Sequence, residues 1–355
     1  MTSVVPTSRT SRRRTVVRER ESEANPPSRS SSGGRESVDA EIGSLRIALA
    51  HDYLTQHGGA ERVVLDLAAA FPGAPIFSAL YDRDGTFPEF GSHLIRTSGL
   101  NKIPLLRHHH RLAFPLLAPA VSRMRIDADL LIASSSGWAH AIRSTGTKIV
   151  YCHAPARWLY QAENYLGRSD DRRKLSARIS RISATAALGM FSGPLRNWDR
   201  RAASAADHYI ANSTTTQRAI REAYGIDAPV LPPPPALMPA GPDEAIDDVH
   251  PGFVLCVARL LPYKNVDAVI NAIGLLPDTR LVVVGTGPDE DRLTSLAAKV
   301  APSRVKLAGR VSDAQLRWAY RNCVALAAAS IEDYGLTPLE AAAFGRPTVA
   351  LHAGG

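Results

Sequence analysis

The chain has 355 residues, long enough for two domains at about 100–200 residues each, and its 45% hydrophobic and 21% charged residues exclude a wholly disordered, collagen-like or coiled-coil chain. Lys and Arg number 42 against 34 Asp and Glu, a formal net charge of +8. That surplus favours anionic partners such as nucleic acid, acidic lipid or phosphorylated small molecules. Cys152, Cys256 and Cys323 supply neither a disulfide framework nor a C-x-x-C metal spacing, which suits a reducing cytosol. No apolar run approaches the ~18 residues that a bilayer-spanning helix needs.

Residues 1–43 hold nine Ser, eight Arg, six acids and no aromatic residue, a composition that cannot bury enough apolar surface to fold and so reads as a disordered tail. Ser11 to Val17 resembles a twin-arginine export signal, but Arg18-Glu19-Arg20-Glu21 stands where an apolar stretch is required, which argues against export.

From Leu45 onward, short Val/Ile/Leu runs alternate with segments of helical apolar spacing. Strands are expected at Leu45–Ala50, Pro75–Leu80, Leu130–Ser134, Lys148–Cys152 and His208–Ala211, with a helix from Ala60. Near-continuous apolar strands between helices imply a parallel sheet covered on both faces. Residues 44–228 form the first such domain. The Pro-rich run Val230 to Pro235, with Pro239 and Pro242, can join neither a helix nor a central strand, and 229–250 reads as a linker. The alternation restarts over 251–355. Strands are expected at Phe253–Ala258, Leu281–Gly285, Val305–Ala308, Val324–Ala328 and Thr348–Leu351, and helices at Val266–Leu276, Asp289–Val300, Asp313–Arg321 and Leu339–Gly345. The fold class is α/β, two Rossmann-like doubly wound domains with a cleft at the carboxyl ends of their strands.

Three constellations fall at such ends. Gly58 and Gly59, between the first strand and its helix, either let backbone approach an anion at the helix N-terminus or make an ordinary βα turn. Arg259 and Lys264, five apart after the first strand of the second domain, either clamp a diphosphate or are solvated surface cations. Glu332 and Glu340, with seven residues between them, flank a turn through Gly335, Leu336 and Thr337. There they either accept hydroxyl hydrogen bonds around an anion site or sit exposed at a favourable end of the helix dipole. Gly285-Thr286-Gly287 lacks the third glycine of a dinucleotide fingerprint, and no Walker A motif is present.

Taken together with Tyr151-Cys152-His153-Ala154-Pro155, Ile210 to Thr214 and Ala308-Gly309-Arg310-Val311, these segments occur in the order and at the spacing of the retaining family-4 glycosyltransferases. The chain resembles that family over about residues 45–355, and most closely the bacterial branch that builds cell-surface polysaccharides and glycolipids, often as mannosyltransferases. The resemblance implies the GT-B architecture and a nucleotide-diphosphate sugar, GDP-mannose favoured, as substrate, with no cofactor and no metal. It also implies roles. Arg259 and Lys264 would neutralise the leaving diphosphate. Glu332 would hold the transferred sugar, Glu340 the ribose, and the amides of Gly335, Leu336 and Thr337 the phosphate. Gly58 and Gly59 would face the diphosphate from the first domain, Val311 would lie near the base, and His153 would stand beside sugar and acceptor unless it is a core histidine.

Asp127-Ala128-Asp129 imitates a metal-binding D-x-D but opens a strand, and His108-His109-His110 between arginines reads as a basic loop. Residues 93–125 carry six Lys/Arg, no acid, and Leu105, Leu106, Phe114, Leu116 and Leu117. They read either as a surface for anionic lipid or as solvated cations over a core. Residues 168–201 add nine Lys/Arg against three acids. The expected enzyme transfers a hexose to a glycolipid or glycan precursor at the cytoplasmic face of the membrane and binds no nucleic acid. The family continues beyond the point where this sequence stops, so a shortened second domain is expected. The rival readings are an inactive binding or scaffold relative and a phosphorylase-like enzyme needing pyridoxal phosphate.

Overall fold

The computed structural model describes residues 43–108, 110–160, 193–332 and 334–352. The chain divides into residues 1–44 and 45–355, and the fold described here is that of the second unit. The expected tail, apart from Gly43, His109 and residues 168–192 of the second basic stretch lie outside the described residues.

Two all-parallel sheets carry the unit. The first has six strands: β1 (Ile47–His51), β2 (Ile76–Ser78), β3 (Ile95–Thr97), β5 (Leu130–Ser135), β7 (Thr147–Cys152) and β8 (His208–Ala211), in the order β3-β2-β1-β5-β7-β8. Arg125–Ile126 (β4) and Arg143–Ser144 (β6) pair separately. The second has β9 (Phe253–Val257), β10 (Leu281–Val284), β11 (Val305–Gly309), β12 (Cys323–Ala328) and β13 (Thr348–Ala350), in the order β11-β10-β9-β12-β13. The alternation of apolar residues decides this architecture. Ala48 and Ala50 of β1 enter one core while Leu49 enters another on the opposite face, and Phe253 and Leu255 of β9 do the same against Cys256. Strands buried on both faces demand a layer of helices on each side.

In each sheet the chain order reverses beside its first strand, between β1 and β5 and between β9 and β12. Such reversals open a crevice at the carboxyl ends of the strands.

Two expectations are corrected, and one strand had not been expected. His108 and His110 belong to helices, Pro104–His108 and His110–Arg123, not to a loop. Burial of Leu106, Ala113, Leu117 and Val121 in the first core outweighs the two donors that Pro115 and Pro119 remove. The helix expected from Leu339 starts at Leu336, because Gly335 at φ 76° turns the chain directly into it. Pro338 then sits in the first turn, where a missing N–H costs nothing. The strand Ile95–Thr97 has only Ile95 half-buried and too little apolar signal to be read in advance.

The Pro-rich connector has carbonyls but few donors of its own, so side chains satisfy it. Tyr151 Oη, from β7, donates to the Leu231 carbonyl at 2.8 Å, and Tyr334 Oη, from the second half, donates to that of Pro233 at 2.8 Å. Val230 bridges to Ala211 at the edge of the first sheet, while Leu237 and Ile246 are buried in a core of the second. No helix among the described residues is long and apolar enough to cross a membrane.

Candidate active site at the mouth of the two sheets

The glycine pair opens the helix Gly59–Ala70, whose N-cap, Gly58, makes no side-chain cap. Gly58 lies at φ −133°, which any residue adopts, so space and not conformation requires glycine there. A Cβ at Gly58 would stand 2.4 Å from Glu61 Oε2, and one at Gly59 would stand 2.5 Å from Leu336 Cδ1 in the other half. Leu336 begins the helix Leu336–Ala343, which also lacks a side-chain cap. Two helix N-termini without side-chain caps therefore meet at the mouth of the cleft, where their first-turn amides and dipoles favour an anion.

The loop after β9 brings Arg259 to the same place, where its Nη1 donates to Gln56 Oε1 of the first half at 2.7 Å. Gly285 and Gly287 hold that loop: their Cβ positions would lie 2.0 Å from the Ala258 carbonyl oxygen and 2.3 Å from that of Leu260. The G-T-G that fails as a dinucleotide fingerprint thus serves as a seat for the Arg259 loop. Lys264 is not a solvated cation. Its side chain is 15% exposed, its Nζ pairs with Glu332 Oε1, and it lies over the Tyr263 ring at 5.3 Å. Ser330 Oγ donates to the same Glu332 oxygen at 2.6 Å.

Glu340 is not an exposed glutamate either. It is buried, and Tyr320 Oη donates to its Oε2 at 2.6 Å. Burial pushes its carboxyl above the ordinary range, against the opposing pull of the Tyr320 hydrogen bond and Arg62. Val311 packs half-buried against the core beneath this helix, one residue before the Ser312–Gln315 capping box.

In the first half, His153 follows β7. Its Nε2 lies 2.8 Å from Ser134 Oγ, its ring meets Tyr151 edge-on at 5.4 Å, and its amide donates to the Ser135 carbonyl at 2.9 Å. Asp127 and Asp129 stand at the opposite, amino-terminal end of β5, both paired with Arg46. The structure gathers Gly58, Gly59, Arg259 and Leu336 at one mouth and links Lys264 to Glu332. It leaves the D-x-D elsewhere.

The chain's own sequence resolves what such a cleft belongs to. The description "Glycosyltransferase Family 4" fits residues 57–234, half of the chain, and "Glycosyl transferases group 1" fits 245–355. The chain belongs to glycosyltransferase family 4. No curated protein matches the chain in sequence. Among solved structures, it is similar to Anabaena HepE in complex with UDP-glucose, at 20% identity and TM-score 0.56, over 88% of this chain and 81% of that one. It is similar to sucrose-phosphate synthase from Thermosynechococcus elongatus at 16% identity and TM-score 0.56, over 87% and 82%. It is also similar to WaaG, a glycosyltransferase involved in lipopolysaccharide biosynthesis, at 16% identity and TM-score 0.52, over 87% and 82%. At these identities the likeness is one of fold, GT-B.

Sequence reasoning missed several groups in this glycosyltransferase's cleft. Asp52 is buried and accepts the amides of Ser136, Trp138 and Ala139 at 2.6, 3.0 and 2.6 Å, fixing the turn after β5. Arg62 joins Asp313 of the second half at 3.3 Å and lies over Phe87 at 4.3 Å. Asp52, Gln56 and Glu61 all stood in the motif around Gly58. Acids and an amide flanking the glycine pair were the signal available in the sequence, and the burial of Asp52 and Glu61 is visible only in the fold.

Proposed function

We propose that this glycosyltransferase moves a hexose, mannose favoured, from a nucleotide-diphosphate sugar to a lipid-linked or glycan-precursor acceptor, with retention of configuration and without a metal ion. The observation that carries the reading is the meeting of two uncapped helix N-termini, at Gly58–Gly59 and Gly335–Leu336, beside Arg259. Amide donors, two dipoles and a guanidinium converging on one point suit a diphosphate, and they stabilise the charge that grows on it as the sugar–phosphate bond breaks. HepE, of the same fold, is solved with UDP-glucose, UDP, and UDP with glucose, which supports a nucleotide-sugar donor.

In this reading Arg259 and Lys264 take the Lewis-acid part, Glu332 orients the sugar, Glu340 receives the ribose hydroxyls, and the amides of Leu336 and Thr337 hold phosphate. Val311 borders the base. The acceptor enters on the side of His153, and the leaving phosphate accepts its proton. Leu94 and Leu105, each 59% exposed, stand in the chain among Arg96, Lys102 and Arg107, which supports peripheral docking on anionic lipid at the cytoplasmic face.

The test is turnover of GDP-mannose, UDP-glucose and UDP-N-acetylglucosamine, each with and without excess EDTA. Release of nucleoside diphosphate from one donor, undiminished by EDTA, is expected. Activity that vanishes with EDTA and returns with magnesium or manganese would overturn the metal-free clamp, and no turnover of any donor would overturn the donor assignment.

A further inference from the structure

Beneath the glycine pair runs a buried polar chain that the roles above leave unused. His51 closes β1 and Glu61 lies in the first turn of the following helix; both are buried, with His51 Nε2 3.7 Å from Glu61 Oε1. On its other side, His51 Nδ1 lies 3.1 Å from both the carbonyl oxygen and Oγ of Ser134, in the neighbouring strand β5. Ser134 Oγ in turn lies 2.8 Å from His153 Nε2.

The proton positions follow from what each partner can do. A carbonyl oxygen only accepts, so His51 Nδ1 carries a proton. Glu61 Oε1, 3.7 Å from His51 Nε2, is too far for a direct hydrogen bond but close enough for an ion pair, which favours a proton on that nitrogen as well. Burial alone would strip one of these protons, but Glu61, helped by Asp52, more than offsets it and raises His51 above its ordinary value, which favours the imidazolium. Ser134 Oγ receives the shared Nδ1–H of His51, which leaves its single hydroxyl proton for His153. The other end is fixed by the same logic. Gln56 Nε2 donates to Glu61 Oε1 at 2.9 Å, so its Oε1 is the atom that accepts from Arg259.

We propose that Glu61, His51 and Ser134 are positioning residues that hold His153 as the neutral ring with its proton on Nδ1. The Nε2 lone pair is then engaged by Ser134, and His153 acts in the cleft as an N–H donor and never as the base. This rests on the proposed place of His153 beside sugar and acceptor. It deepens that reading by giving a structural reason why proton acceptance falls to the leaving phosphate. A glutamine at 61 could accept the same Gln56 hydrogen bond, and Oε2 of Glu61 is buried without a partner. A carboxylate kept at such a cost is accounted for by the charge it induces on His51.

The test uses the full chain with ring-15N-labelled histidine at neutral pH and long-range proton–nitrogen correlation, His153 being assigned by its loss in His153→Gln. The expected spectrum has an unprotonated Nε2 and protonated Nδ1 for His153, and two protonated nitrogens for His51. Glu61→Gln turns His51 neutral. Ser134→Ala lets His153 exchange between tautomers, and Ser134→Thr restores the wild-type pattern. With whichever donor the turnover assay selects, Ser134→Ala lowers kcat roughly tenfold, the worth of one hydrogen bond, with KM for donor unchanged, and Ser134→Thr recovers it. A protonated Nε2 on wild-type His153, or a neutral His51, overturns the proposal even if Ser134→Ala does not fold. So does a His153 spectrum indifferent to Ser134→Ala. Failure to turn over any donor would defeat the functional reading alone, since the ring spectra answer separately.

Discussion

Glu332 and Glu340 stand eight residues apart in sequence and end in opposite surroundings, which separates what their loss should do. Glu332 is paired with the Lys264 ammonium and Ser330, so Glu332→Gln should lower the transfer rate about ten- to a hundredfold while nucleotide affinity changes little, as initial rates and calorimetry would read. Losing one hydrogen bond to a charged group costs ~1.5–3 kcal/mol. Glu340 is held in its buried site above its ordinary range. The native state therefore keeps a proton that the unfolded chain releases, and stability falls as pH rises from the ordinary carboxylate value of about 4.3 toward the raised one. Glu340→Gln removes that loss and keeps an acceptor for Tyr320. Its thermal midpoint should exceed wild type at neutral pH and match it in acid, while nucleoside-diphosphate affinity falls about tenfold or more. A midpoint unchanged at every pH would contradict the burial argument, and unchanged affinity would remove the ribose assignment.

The turns that open helices carry the steric demands of the site. Gly58→Ala would press a methyl onto a buried carboxylate at 2.4 Å, whereas Gly59→Ala would meet the tip of a leucine at 2.5 Å. The first should destabilise by about 1–3 kcal/mol in urea unfolding. The second should leave stability nearly unchanged and weaken donor binding, with Leu336→Ala restoring affinity in the double variant, because the leucine can yield and the glutamate cannot. Gly285→Ala combines a contact of 2.0 Å with φ 131° and should be the worst tolerated of the three. At this scale the sequence was legible where period and punctuation agreed. β1, β5, β7 and the strands of the second sheet appeared close to their expected ranges, because each is a short run rich in apolar residues bounded by turn signals. The start of the helix at Leu336 was missed, because a left-handed Gly335 leaves no hydrophobic mark. The helix His110–Arg123 was missed because its histidine, two arginines and two prolines hide a buried stripe that only tertiary packing completes.

At the scale of the molecule, the Pro-rich connector is held to both sheets by Tyr151 and Tyr334. Changing both to phenylalanine should cost about 1 kcal/mol for each lost hydrogen bond; an unfolding curve identical to wild type would mean the connector is not braced by them. The GT-B fold was legible because each half repeats the same strand-and-helix pattern across a proline break. The cleft's contents were legible only in part. Spacing pointed to Arg259, Lys264, Glu332 and the glycines, but the contacts of Gln56 with Arg259, Arg62 with Asp313 and Gly59 with Leu336 join residues more than 200 positions apart, and no local pattern encodes them. Those contacts frame the central claim, that two opened helix N-termini and two cations hold a diphosphate. Calorimetric titration of UDP and GDP, against uridine and guanosine, into wild type, Arg259→Ala and Lys264→Ala, all in EDTA, tests it most directly. The account predicts that one diphosphate binds at least tenfold more tightly than its nucleoside and that each variant erases most of that advantage. Equal affinity for diphosphate and nucleoside, or binding unchanged in both variants, would contradict it.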